Sequence, residues 1–158
     1  MTIDHIYSNE FAGAIVRNMG EFLCLAGKKD LLEESLIVDL GCGDGTILHE
    51  LKKYHPTIRM IGVDRNPLRK YSDVGYRAAI ITATQLPNDS AAVVLSVNIS
   101  DYLGDSFESD DFFNEVNRIL VPGGVYIPND FFRTGLIRPF QHAGYRSFML
   151  DYQEKPQL

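Results

Sequence analysis

The segment VDLGCGDG (38–45) sets Asp39 two residues before Gly41 and then runs Gly41, Cys42, Gly43, Asp44 and Gly45. Glycines lack a Cβ, so such a turn can tighten and a ligand can lie against its backbone. A second segment, RMIGVD (59–64), ends in Asp64, 21 residues beyond Gly43. A carboxylate at that distance can accept both ribose hydroxyls of an adenosine. Taken singly, the glycines make a tight turn and Asp64 caps whatever follows it; the pair is far more specific. Dinucleotide sites read G-x-G-x-x-G and rest a pyrophosphate on a helix N-terminus. This turn reads G-x-G-x-G, with one acid before it and Asp44 inside it. A carboxylate is unfavourable beside pyrophosphate and favourable beside the amino group of a methionine-like ligand.

Other chemistries find less support. Four scattered histidines with Cys24 and Cys42 give no metal-ligand spacing. There is neither a G-x-S-x-G elbow nor a G-K-[ST] phosphate loop. Cys42 reads as a small residue of the turn, not as a nucleophile. His5, Asp101, Tyr102 and Asp130 neighbour the expected strand ends and are candidate bases, against a plain reading as loop polarity or caps. His49 and His142 read as helix-surface residues, and His55, before Pro56, as a helix end.

The elements that position the turn follow from the pattern of apolar residues. Phe11, Ile15, Met19, Phe22 and Leu23 recur at helical spacing between Asn9 and Ala26, and a short helix with Leu31 and Leu32 follows. LIVDL (36–40) is a continuous apolar run, as expected of a strand buried on both faces. Then come a helix TILHELKKY (46–54), a strand RMIGVD (59–64), a short helix PLRKY (67–71), and strands AAIIT (78–82) and AAVVLSV (91–97). A helix DDFFNEVNRIL (110–120), a VPGG turn, a strand VYIP (125–128), a helix LIRPFQHAG (136–144) and a strand SFMLDY (147–152) complete the series. Strands alternating with helices imply an α/β fold, a doubly wound parallel sheet with helices on both faces.

The 158 residues fit one domain: a helical cap (1–34), a ligand-binding core (35–130) and a shortened C-terminal helix and strand (131–158). No apolar run reaches the ~20 residues of a membrane span, and MTIDHIYSNE lacks the features of a signal peptide. With two cysteines, this fits a reducing cytoplasm. Fifteen Lys and Arg against 21 Asp and Glu give −6, which disfavours broad nucleic-acid or anionic-membrane surfaces.

At these residues the chain resembles the class I S-adenosylmethionine-dependent methyltransferases over about 36–130. VDLGCGDG is similar to their first motif and IGVDRN (61–66) to their second. TATQLPNDS (82–90) resembles their D-A-x-x-L-P loop, and NRILVPGG (117–124) their R-x-L-x-P-G-G turn. The resemblance implies a Rossmann-like, mostly parallel sheet of order 3-2-1-4-5, with the terminal strand beside strand five. It implies S-adenosylmethionine as cofactor and methyl transfer by in-line displacement. Asp39, with Gly41, Cys42, Gly43 and Gly45, would hold the methionine half. Asp64 would take the ribose, Arg65 would flank the adenine, and Ala83 and Thr84 would approach its edge. Ser96 to Asn98 would lie near the sulfur. Tyr7 is placed like tyrosines that contact the cofactor carboxylate in some relatives, and equally like an aromatic of the cap's core.

Two family positions differ: Thr82 replaces the acid of the adenine loop, and Ala92 replaces the acid at the start of strand four. SVNIS (96–100) does not match the [DN]-P-P-[YFW] of base amino-methyltransferases, which points to a small-molecule or protein acceptor. Phe107, Phe131 and Phe132 either line an apolar acceptor pocket or belong to the core. The leading expectation is an active small-molecule methyltransferase. The alternatives are a non-catalytic cofactor-binding or scaffolding subunit of a heteromer, and a nicotinamide enzyme. With one strand after the last helix, the sheet edge near Phe148 to Tyr152 would suit a homodimer or heteromer, unless QEKPQL shields it.

Overall fold

A computed structural model describes residues 7–34, 36–99, 110–129, 133–147 and 152–157. Among these, seven strands form one sheet of order β3-β2-β1-β4-β5-β7-β6. The strands are β1 (Leu36–Leu40), β2 (Arg59–Asp64), β3 (Gly75–Ala78), β4 (Ala91–Val97), β5 (Leu120–Asn129), β6 (Arg146–Ser147) and β7 (Gln153–Glu154). The first five run parallel, and β7 pairs antiparallel with both β5 and β6.

Alternation along the central strands divides the core. Ile37, Val93, Leu95, Val97, Val125 and Ile127 face α1 (Asn9–Leu25), α2 (Leu31–Glu34) and α3 (Thr46–Tyr54), packing on Leu23, Leu32 and Leu48. Val38, Leu40, Val63, Val94 and Tyr126 face the opposite layer, packing on Phe112, Val116 and Ile119 of α4 (Asp111–Ile119) and on Phe140 of α5 (Arg133–His142). Burial of β4 on both faces explains its unbroken apolar run. Ser8 caps α1, its side chain accepting from the Phe11 amide at 3.2 Å.

The sheet order confirms the expectation and brings Asp39 and Asp64 onto adjacent strands, with Asp39 opposite Gly62. Four local expectations need correction. No helix forms over PLRKY. Arg69 is left-handed there (φ 50°), and the amides of Leu68 and Tyr71 donate to Gly43 O and to the Tyr76 hydroxyl instead of to a preceding turn. The third strand is GYRA (75–78), not AAIIT. Beyond Ala78 the chain folds back through an Ile80–Ala83 bridge. VPGG lies within β5 as an irregularity, where Gly123 N donates to Lys155 O and Lys155 N to Gly124 O. The helix expected over 136–144 runs over Arg133–His142 as α5, with Pro139 inside it.

The C-terminal segment also differs from the single strand expected. Two antiparallel two-residue strands are present, β6 and β7, and the Gln153–Glu154 part of QEKPQL is the piece beside β5. Phe148, Met149, Leu150 and Asp151 lie outside the described residues. Tyr152 is not an edge residue: it is buried and stacks on Phe22 with ring centroids 3.4 Å apart. Glu154 is buried between two cations, Lys28 Nζ at 2.7 Å and Arg146 at 2.8 Å.

Candidate active site

β1 carries Asp39 into the molecule one residue before its end. The side chain is 1% exposed, and neither carboxylate oxygen has a hydrogen-bond partner among the described residues. Buried polar atoms in folded proteins are almost always paired, so this carboxyl marks the end of β1 as a candidate binding position. Burial, and then the charge of Asp64, push its pKa up to about 8.

The turn after β1 is built from left-handed glycines: Gly41 at φ 79°, Gly43 at 56° and Gly45 at 86°. A Cβ on Gly41 would sit 2.8 Å from Ile99 Cγ2, so the chain beyond β4 closes tightly over the turn. The amides of Gly41 and Cys42 both donate to Val63 O, at 2.7 and 3.2 Å. Gly43 N donates to Asp64 Oδ2 at 3.0 Å, and Asn66 N to Asp64 Oδ1 at 2.9 Å. An ionised carboxylate offers about four acceptor sites, so Asp64 can order the turn and still receive two hydroxyls.

Cys42 turns its side chain into the sheet. A Cβ on Gly62 would lie 2.5 Å from the Cys42 sulfur, so the absence of a side chain at Gly62 makes room for the thiol. Burial pushes that thiol far up, with the charges of Asp39 and Asp64 adding to the effect. Cys42 therefore meets the turn through its backbone. Asp44, which the sequence placed beside a ligand amino group, is committed elsewhere. Its Oδ1 accepts from Thr46 N and Oγ1 at 3.0 and 2.7 Å, and its Oδ2 lies 3.4 Å from Lys70 Nζ. It thus caps the start of α3, where Gly45 has no side chain to do so.

On the β4 side, Asn98 holds a left-handed conformation (φ 50°) and donates its amide to Asn129 O at 2.9 Å. Asparagine tolerates this region better than most residues. The Tyr7 hydroxyl donates to Val97 O at 3.0 Å, and its ring stacks on Phe11 at 5.2 Å, so Tyr7 reaches the end of β4 from the cap. Ser96 points the other way, its hydroxyl 2.8 Å from that of Tyr126 in the buried layer.

Around the expected adenine region, Arg65 and Ala83 are exposed and Thr82 is half-buried. Thr84 is fully buried, its amide and hydroxyl both donating to Glu115 Oε1, at 2.8 and 2.5 Å. Arg118 binds the same carboxylate, at 2.9 Å to Oε2 and 2.7 Å to Oε1. Thr84 thus anchors the loop to α4, and its hydroxyl is spoken for within the protein. The structure unites Asp39, the glycine turn, Asp64, Asn98 and Tyr7 at one end of the sheet. His5, Asp101, Tyr102, Phe107, Asp130, Phe131 and Phe132 lie outside the described residues. The sequence reading missed Tyr76, Tyr71 and Lys70, which grip the turn from outside, because nothing in PLRKY or GYRA signals a long-range contact.

A doubly wound sheet of this order, with an acid and a glycine turn ending one central strand and a second acid ending its neighbour, is a Rossmann-like ligand-binding domain. The methyltransferase-domain family profile matches residues 38–127. The chain belongs to this family, within the class I S-adenosylmethionine-dependent methyltransferases, whose cofactor is S-adenosylmethionine. It is 29% identical over 116 residues to a malonyl-[acyl-carrier protein] O-methyltransferase of Hahella chejuensis, covering 68% of this chain and 40% of that protein. Among solved structures, a protein of Methanococcus maripaludis assigned to the S-adenosyl-L-methionine-dependent methyltransferases shares the fold. Its TM-score is 0.66 at 14% identity, over 93% of this chain and 85% of that one. A SAM-dependent methyltransferase from Archaeoglobus fulgidus matches with a TM-score of 0.57 at 19% identity, over 75% and 51%. The chain spans less than half the length of the Hahella relative. No helix among the described residues is long and apolar enough to cross a membrane.

Proposed function

We propose that this chain transfers a methyl group from S-adenosylmethionine to a small-molecule acceptor by in-line displacement. The observation that carries the reading is the buried, unpartnered Asp39 carboxyl beside the left-handed glycine turn, with Asp64 on the adjacent strand. Asp39 receives the ammonium of the methionine half, as a buried anion requires a cation or a proton. Gly41, Gly43 and Gly45, with the backbone of Cys42, leave space against which that half lies. Asp64 accepts the ribose hydroxyls, Arg65 and Ala83 border the adenine with the backbone of Thr84, and Tyr7 and Asn98 frame the end of β4.

The cofactor supplies a methyl group on a cationic sulfonium, already a good leaving group. The protein's share is therefore orientation and the exclusion of water. A general base is needed only for an acceptor that must lose a proton.

The net charge of −6 and the absence of a base-methylation motif after β4 support a small molecule over a nucleic acid. The Hahella relative is named for O-methylation of a malonyl-carrier substrate, so carboxyl acceptors come first in a screen. Calorimetry with S-adenosylmethionine, S-adenosylhomocysteine and NAD tests the site: micromolar binding of the first two and none of NAD is expected, and preference for NAD overturns the reading. A tritium-methyl transfer screen then tests turnover. Tight cofactor binding with no transfer to any acceptor class would favour a scaffolding subunit.

A further inference from the structure

β3 places Tyr76 against the outside of the glycine turn. Its hydroxyl donates to the carbonyl of Asp44 at 2.7 Å and accepts from the amide of Tyr71 at 3.2 Å. Its ring covers Gly45: a Cβ built there would lie 2.9 Å from Tyr76 Cε1 and Cζ and closer still to the hydroxyl. Gly45 N, on the far side of the same peptide, donates to Cys42 O at 2.9 Å. The Asp44–Gly45 peptide is planar, so these two bonds fix its orientation from both edges. Without the outer bond, a peptide leading into a glycine can rotate at little cost, because glycine accepts either sign of φ. Neighbouring groups strengthen the grip. The Tyr71 hydroxyl lies 3.3 Å from Thr46 Oγ1, and Lys70 pairs with the Asp44 carboxylate.

We propose that Tyr76 is a positioning residue for cofactor binding, its hydroxyl locking the Asp44–Gly45 peptide so that the glycine turn is held in its ligand-ready form. This rests on the reading that the turn holds S-adenosylmethionine. The phenol touches no ligand; it sets the fraction of molecules in which the turn is competent, and apparent affinity falls in proportion to that fraction.

The test is Tyr76→Phe in the full chain, which keeps the ring over Gly45 and removes only the hydroxyl. S-adenosylhomocysteine binding is measured by calorimetry and Gly45 amide exchange by NMR. Ile119→Val, in the opposite core layer, serves as a destabilised control. The Kd of Tyr76→Phe is expected to rise about threefold to tenfold, from loss of the bond to Asp44 O, with the Tyr71 amide losing its acceptor as well. Gly45 exchange should accelerate, while Ile119→Val binds like the parent. Binding by Tyr76→Phe within twofold of the parent overturns the inference, as does equal weakening in Ile119→Val. A parent chain that takes up no S-adenosylhomocysteine overturns the cofactor reading itself, a result the parent measurement reveals before any variant is compared.

Discussion

Asp39 has an ordinary residue type in an extraordinary setting, and its titration is the sharpest handle on the site. Its carboxyl pKa is raised from 3.8 to about 8 by burial, with Asp64 adding to the effect. The folded, ligand-free protein therefore binds more protons than the unfolded chain between those values. This group makes stability fall as pH rises from about 4 to about 8, with no slope outside that window. Asp39→Asn should flatten that part of the profile, as read by urea denaturation across pH, and should weaken cofactor uptake. A cationic ammonium beside Asp39 favours the ionised form, so cofactor binding near pH 7 should release a proton. Calorimetry in buffers of different ionisation enthalpy would show the release in the parent and not in Asp39→Asn. At the neighbouring strand end, Asp64→Ala should cost about 1.5–3 kcal/mol of cofactor binding by removing a charge-assisted acceptor. Gly43→Val should cost more, because a branched side chain resists φ 56° and fills ligand space.

At the scale of elements, what was legible in the sequence was what a short window carries. LIVDL and AAVVLSV announce buried strands by their apolar runs, RMIGVD forms the strand expected of it, half-buried, and TILHELKKY forms α3 over its full length. The acid-and-glycine turn was legible because its constraint is local backbone conformation. GYRA was not, since a four-residue strand opening on glycine has neither length nor propensity to declare itself. PLRKY failed as a helix because its backbone donors and its Lys70 and Tyr71 side chains are drawn to the turn. No local pattern encodes that attraction, and Tyr76 escaped notice for the same reason.

The loop before β4 was recognisable as a motif, but its anchor was not. Glu115 of α4 is buried, which alone would raise its pKa, yet hydrogen bonds from Arg118 and Thr84 bring it down to about 2. Its stabilising effect is fully present above about pH 4.5 and lost as pH falls through about 2. Glu115→Gln should cost about 1–3 kcal/mol at neutral pH and remove that acid limb, as followed by circular dichroism during acid titration.

Across the whole molecule, the first helix and the final strands are joined by one ion cluster. Lys28, just past α1, donates to Glu154 of β7 and, at 3.2 Å, to Gly123 O of β5. Lys155 reaches back to the carbonyls of Asn117 and Leu120, each at 2.7 Å. Two strands of two residues each would be marginal alone; these lysines and the Tyr152–Phe22 stack fasten them to the core. Glu154→Ala leaves Lys28 partly buried without its carboxylate and should lower stability by about 1–3 kcal/mol. Arg146→Ala removes the more exposed partner and should change it by less than about 0.5 kcal/mol. Equilibrium urea unfolding distinguishes the two.

The room that Gly62 leaves for the Cys42 side chain also divides the protein's two thiols by reactivity. Cys42 lies sealed inside the sheet, whereas Cys24 is exposed on α1. Thiolate, not thiol, attacks alkylating reagents, so a maleimide should modify one position in the native protein and both after denaturation. A dye placed on Cys24 would ride on the cap helix and leave the glycine turn unmodified. The sealed sulfur would then count unfolded molecules: the rate at which its label appears reports how often the sheet opens.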